Sequence, residues 1–280
     1  MLYVANYFSN RVDVYSYPKG KQVGMLTTDI FAPDGICIDK RNNIWIVNNE
    51  PNDDAIVEFK HGGTSPIATL KDSSQYPDSC SIDPATGDLA VTNHDTISGA
   101  SGSVAVYSHA KGLPTLYADP SIVKMFFCGY DDKGNLFVDG TPYGSEGFVF
   151  AELPKGKSAL KNIALKGGSI NFPGQILWDG KYLAVGDQDF KPKYGQRHTS
   201  GIYRTTGAGA RIVGAVALRT SQDVAGFWID GNAVVAPDVF DYYTSQNPGN
   251  VLFFDYPAGG KPSGKLSKGF SDPLGVAISP

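Results

Sequence analysis

One four-strand pattern recurs along the chain, and it constrains the fold more than any single residue does. It is clearest in Pro33-Asp34-Gly35-Ile36-Cys37-Ile38-Asp39, a short turn, Ile44-Trp45-Ile46-Val47-Asn48, a loop, Ala55-Ile56-Val57-Glu58-Phe59, a Gly-Gly turn and Pro66-Ile67-Ala68-Thr69-Leu70. It returns as Pro77-Asp78-Ser79-Cys80-Ser81-Ile82-Asp83, Leu89-Ala90-Val91-Thr92-Asn93 and Val104-Ala105-Val106-Tyr107. The second-strand signature appears again at Leu136-Phe137-Val138, Leu183-Ala184-Val185 and Val234-Val235-Ala236. An aromatic marks the end of each third strand at Tyr15, Phe59, Tyr107, Phe150, Tyr203 and Phe254. Their spacings are 44, 48, 43, 53 and 51 residues, and the step from Phe254 through Pro280 back to Tyr15 adds 41. Six units close the circle, whereas seven would leave one without an anchor. The apolar period within each segment is two, which excludes a helical repeat.

Composition agrees with many short strands joined by turns. Of the 28 acidic residues, 24 are Asp and 4 are Glu, and the chain carries 33 Gly and 18 Pro. Asp favours turns because its short side chain bonds nearby backbone, whereas Glu favours helix interiors. Four-stranded units in a closed ring predict an all-β six-bladed β-propeller. The chain ends supply the closure. Pro273-Leu274-Gly275-Val276-Ala277-Ile278 reads as a first strand without its second, and Leu2 to Asn6 as a second strand without its first. The expected blades of this single domain are 271–280 with 1–30, then 31–74, 75–121, 122–169, 170–221 and 222–270.

Several classes of function fall away. No apolar run approaches the ~18 residues of a membrane-spanning helix. A net charge of -4 without Lys/Arg runs argues against nucleic acid as the main partner. There is no Gly-x-Ser-x-Gly elbow, no His-Glu-x-x-His motif and no Gly-x-x-x-x-Gly-Lys run. Cys37, Cys80 and Cys128 lie in apolar strand-like runs and read as buried inert thiols, and the odd count leaves at least one unpaired. Met1 is followed at once by a strand, so a removed leader and an extracellular or periplasmic location are expected.

The units resemble NHL-type repeats, and Leu2-Tyr3-Val4-Ala5-Asn6 is similar to their typical second strand. The segment Pro33 to Asp39, with Ile44-Trp45-Ile46, also resembles part of the gluconolactonase/regucalcin family of six-bladed propellers. The first resemblance covers the whole chain and the second covers one blade. The second implies that Asp34 stands at a metal-binding aspartate. The family's glutamate ligand has no counterpart, since Leu274 and Gly275 open the closing blade. Gly174 occupies the place of its inner Asn, with Gln175 adjacent.

In such propellers, the strand two-three loops and the segments leading into strand one surround the central funnel on one face. The position after the anchor, a proline in four blades and Met125 or Val224 in the other two, holds Asp34, Asp78, Phe126, Gly174, Ala225 and Leu274, which sets two neighbouring carboxylates at the mouth. Carboxylate and amide oxygens suit Ca²⁺ or another divalent cation, and Asn48, Asn93 and Asp187 are candidates to complete its shell. Aspartates before strands also cap turns, so both readings stay open. His94, beside Asp95, and His198 lie in strand two-three loops and are the candidate general bases. His61 and His109 fall in strand three-four turns, on the far face, and are expected to be solvated. Tyr143, Tyr194, Asp241, Tyr242 and Tyr243 make a candidate binding surface, where Arg197, Lys191 and Lys193 could take an anionic group.

Two functions follow. One is a secreted or cell-surface monomer that binds a small molecule or a protein partner on the funnel face. The other is a metal-dependent hydrolase, a lactonase or esterase, whose metal polarises an ester carbonyl or activates water.

Overall fold

Each second strand is apolar on both of its faces, so each sheet must be covered on both sides. A ring of sheets meets this requirement, because every sheet has two neighbours. The protein, described as a computed structural model, forms that ring. The structure describes all residues except 51–55, 144–145, 192–198, 221–222 and 240–247.

The strands are β1 (Leu2–Asn6), β2 (Arg11–Ser16) and β3 (Lys21–Leu26), then β4 (Pro33–Ile38), β5 (Ile44–Asn48), β6 (Ile56–Phe59) and β7 (Pro66–Leu70). The third sheet holds β8 (Gln75–Ile82), β9 (Leu89–Thr96), β10 (Ser101–Tyr107) and β11 (Thr115–Tyr117). The fourth holds β12 (Lys124–Tyr130), β13 (Leu136–Thr141), β14 (Val149–Leu153) and β15 (Lys161–Asn162). The fifth holds β16 (Pro173–Trp178), β17 (Leu183–Asp187), β18 (Thr199–Thr205) and β19 (Ile212–Arg219). The sixth holds β20 (Trp228–Asp230), β21 (Ala233–Asp238), β22 (Asn250–Asp255) and β23 (Gly264–Leu266), and β24 (Pro273–Ile278) pairs antiparallel with β1 to complete the first. All six sheets are four-stranded antiparallel meanders.

Six apolar clusters fill the six gaps between neighbouring sheets. Tyr3, Val12, Ile44 and Phe59 fill the first gap, and Leu2, Tyr15, Val235 and Phe270 fill the last. Buried strands therefore read as continuous apolar runs here, as in Ile44–Val47, and the solvent-facing alternation survives on the outer strands.

The strand register corrects two anchors. Tyr15, Phe59, Tyr107 and Phe254 each face the first residue of the adjacent second-strand signature: Leu2, Ile44, Leu89 and Val234. In the fourth and fifth sheets the matching positions are Leu153, opposite Leu136, and Thr205, opposite Leu183. Phe150 and Tyr203 lie three and two residues earlier on the same strands. The anchor is thus a position in the ladder rather than an aromatic residue, and the blade count is unchanged.

The cysteines are a second correction. Cys37 and Cys80 form a disulfide, with Cα atoms 5.7 Å apart, which ties β4 to β8 across the gap between the second and third sheets. Cys37 pairs with Trp45, the second residue of its signature, whereas Cys80 pairs with Val91, the third. Successive side chains on a strand point to opposite faces, so this one-residue offset turns the two thiols toward each other. Cys128 remains a free thiol and is buried, and burial pushes its pKa up.

Candidate functional site

The inner strands β4, β8, β12, β16 and β24 pack side by side around the axis. Two glycines let them approach where the site forms. A Cβ on Gly35 would lie 2.6 Å from the Asp78 carbonyl oxygen, and one on Gly275 would overlap the Asp34 carbonyl oxygen. Without those side chains, β24, β4 and β8 bring Asp34, Asp78 and Asp272 to one side of the funnel.

A cavity of about 420 Å³ opens there, lined by Phe127 and three sets of residues. Asp34, Asp78, Phe126, Ala225 and Leu274 come from the position after the anchor, as the repeat comparison predicted. Lys124, Phe172 and Asp272 come from two residues earlier. Tyr7, Asn49, Gln188 and Val239 each sit one residue past the Asn or Asp that ends a second strand, and His94 follows Asn93 inside β9. Sequence reasoning missed the last two sets apart from His94. The signal for the third set was the recurring Asn or Asp of the second strand: Asn6, Asn48, Asn93, Asp187 and Asp238.

Those terminal residues hold the walls rather than the contents. Asn48 Oδ1 accepts the Phe31 N–H at 3.1 Å, and its Nδ2 donates to the Asp29 carbonyl at 2.9 Å. Asn6 does the same with the Ser271 N–H and the Gly269 carbonyl. Asp187 Oδ1 accepts the Phe172 N–H, and Asp139 accepts the Phe127 and Gly174 N–H groups. Asn48, Asn6 and Asp187 each tie the end of a second strand to the segment that leads into strand one, and Asp139 ties β13 to the first strands of its own and the next sheet. Asn93 is fully buried and does not line the cavity. Of the five candidate metal ligands, the structure thus brings only Asp34 and Asp78 to the cavity. Among the described residues no group of three or more His, Cys, Asp and Glu side chains is placed to hold a metal ion.

Nor do Asp34 and Asp78 cap their own turns. Turn capping falls to Asp39, Asp83, Asp131 and Asp179 at the strand one-two hairpins, where each Oδ1 accepts a backbone N–H two residues on. Asp78 Oδ1 instead accepts from Asn49 Nδ2 at 2.7 Å and meets His94 Nδ1 at 2.9 Å, and its Oδ2 is buried with no hydrogen-bond partner. No described residue donates a hydrogen bond to the Asp34 carboxylate. Burial, followed by the charges of Asp78 and Asp272, raises the Asp34 pKa well above the usual carboxylate range. Burial also raises that of Asp78, and His94 offsets part of the rise. Tyr7 is raised by burial and by the surrounding carboxylates.

His94 is clamped at both nitrogens. Its Nδ1 faces Asp78 and its Nε2 lies 3.3 Å from Asp95 Oδ1, while Lys124 Nζ is 3.5 Å from Asp95 Oδ2. Burial works against a charged ring, but the hydrogen bond and charge of Asp78, with Asp95, outweigh it and raise the pKa. This arrangement favours an imidazolium, which can donate a proton but cannot accept one. The ring stacks between Tyr76 at 5.4 Å and Phe126 at 6.2 Å, and Phe126 meets Phe172 at 6.0 Å. The cavity therefore has an acidic side, Asp34, Asp78 and Asp272, facing an aromatic side built on Phe126 and Phe172.

The remaining candidates separate. Tyr143 is 85% exposed and stands outside the cavity. His198, Tyr194, Arg197, Asp241, Tyr242 and Tyr243, with Lys193, lie outside the described residues. Lys191 is exposed and pairs with Asp189 at 2.6 Å. His61 and His109 are exposed in strand three-four turns, as expected, and His109 Nδ1 meets the Thr86 carbonyl.

No protein-family model matches the chain, and no curated protein matches it. The NHL and gluconolactonase resemblances therefore gain no support from either comparison. Among solved structures, a chain in the crystal structure of a nidogen/laminin complex superposes with a TM-score of 0.70 at 13% identity, over 99% of this chain and 97% of that one. At that identity the likeness shows the shared fold, a six-bladed β-propeller.

Proposed function

We propose that this protein is a binding propeller that engages its ligand or partner through the funnel face. The observation that carries this reading is the cavity of about 420 Å³, within the size range of ligand sites, where charged groups and aromatic faces converge. Exposed Phe8, Ile97 and Tyr143 lie in strand two-three loops and exposed Phe31 in a segment leading into strand one, all on the funnel face, which suits a protein partner whose contact extends past the cavity. The matched propeller comes from a protein–protein complex, which supports the same use of the fold. The Cys37–Cys80 bridge supports an oxidising compartment, extracellular or periplasmic.

A thermal-shift and NMR screen with small aromatic cations, anions and neutral molecules tests this reading, run in parallel on Phe126→Ala and Phe172→Ala. Ligands should stabilise the protein saturably and lose at least ten-fold in affinity in both variants. For a protein partner, Phe8→Asp and Phe31→Asp should weaken capture. Ligands and partners indifferent to all four substitutions would remove the funnel from consideration.

A further inference from the structure

We infer that the funnel mouth recognises an organic cation, a primary ammonium or guanidinium group, carried on an aromatic or apolar body. The inference rests on the funnel-binding reading and names its chemistry. On the acidic side, the Asp34 carboxylate has no described partner to neutralise it. Asp78 is paired with His94, and Asp95 with His94 and Lys124, but no described residue places a cation or a hydrogen-bond donor on Asp34. The second observation is Asp78 Oδ2. Asp78 is 8% exposed and lines the cavity, yet this oxygen has no hydrogen-bond partner. A buried carboxylate oxygen without a donor is costly, so a cation held beside Asp78 is stabilising.

The identity of the donor follows from what surrounds it. A hard divalent ion needs six or more converging oxygens. Here Asn48 and Asp187 have spent theirs on backbone N–H groups, and Asn93 does not line the cavity. An ammonium needs about three acceptors and tolerates their spread, and a guanidinium presents a fork to paired carboxylates. Opposite, Phe126 and Phe172 offer apolar faces for the body that carries the charge. The occupant is therefore amphipathic: cation toward Asp34 and Asp78, ring or alkyl chain toward the phenylalanines. A free amine and a Lys or Arg side chain of a partner share this chemistry.

The test is calorimetric titration with 2-phenylethylamine, 2-phenylethanol and 3-phenylpropanoate, which share a ring and differ in charge, and with a blocked Phe-Lys dipeptide. The cationic probes should bind saturably and the other two should not. Asp34→Asn should weaken cation binding at least ten-fold while folding at least as well as the parent, since it relieves repulsion and breaks no hydrogen bond. Phe126→Ala should weaken 2-phenylethylamine more than butylamine, and binding should fade as the pH drops through the raised carboxylate values. Tighter capture of the dipeptide than of the free amine assigns the cation to a protein partner, and the reverse order assigns it to a small molecule. The inference is overturned if 2-phenylethanol or 3-phenylpropanoate binds as well as the amine, if Asp34→Asn changes nothing, or if Ca²⁺ binds saturably and displaces the amine. Neutral or anionic probes that lose binding in Phe126→Ala would sink the cation while leaving the funnel reading in place. Silence from every probe and partner would sink both.

Discussion

Buried aspartates carry most of the chemistry that single residues contribute here. Asp72 shows the cost most plainly. It is 3% exposed, its Oδ2 and the neighbouring Gln75 Oε1 lack hydrogen-bond partners, and burial, partly offset by Asn93, lifts its pKa to about 6. The folded protein holds that proton more tightly than the unfolded chain does. Its contribution to stability is therefore fully present below about pH 4 and is lost as the pH rises through about 6. Asp72→Asn removes the charge and supplies an N–H beside Gln75. It should raise stability at neutral pH by about 2 kcal/mol and flatten the pH dependence between 4 and 6. Denaturant melts of both proteins at pH 4, 5, 6 and 7 check this, and an unchanged slope would place the proton elsewhere. None of this was legible in the sequence, where Asp72 reads as one loop aspartate among many. Its burial depends on Gln75, at the start of β8, and Asn93, on the paired strand β9, closing over it, and the sequence does not show that register.

At the scale of strands, the cysteines show how much a one-residue offset decides. In the third sheet Ser81 pairs with Ala90, as Cys37 pairs with Trp45 in the second. In the fourth sheet Cys128 pairs with Val138, as Cys80 pairs with Val91 in the third. The sulfur of Cys128 contacts the Ala90 carbonyl as that of Cys80 contacts the Trp45 carbonyl. Ser81 thus stands where Cys128 would find a partner. Ser81→Cys should form a second inter-sheet bridge, adding about 2–3 kcal/mol. Thiol titration of unreduced, denatured protein should fall from one free thiol to none, while reduction exposes three in the parent and four in the variant. Failure of the bridge to form would show that the third and fourth sheets meet at a different spacing. Sequence reading had all three cysteines in the right strands but gave them no pairing, because the bulges that set the offset lie in segments of unequal length. The funnel lining divides in the same way. Asp34, Asp78 and Leu274 follow a proline, and Phe126 and Ala225 hold the matching place after Met125 and Val224, so this set can be counted along the chain. Tyr7, Asn49 and Gln188 follow a strand end that varies between Asn and Asp and is followed by loops of any length.

For the whole molecule, the repeat determined the architecture and the blade count, since only a ring covers both faces of every sheet. The ring is also its weakness. Removing residues 273–280 takes away β24, opens an edge on β1 and uncovers two of the six inter-sheet cores. The truncated chain should lose its single cooperative transition in calorimetry and bind a hydrophobic dye, and retention of a native-like transition would show that five complete blades suffice. Meanwhile the closing pair runs antiparallel with Leu2 opposite Ile278 and Asn6 opposite Pro273. Residue 1 and residue 280 therefore leave the sheet at the same end of the same ladder. Tension applied through them loads one pair of hydrogen bonds at a time, peeling β24 from β1 instead of shearing the pair along its length. Pulled from its ends, this propeller is a zipper, and it should yield at the low, steady force of one.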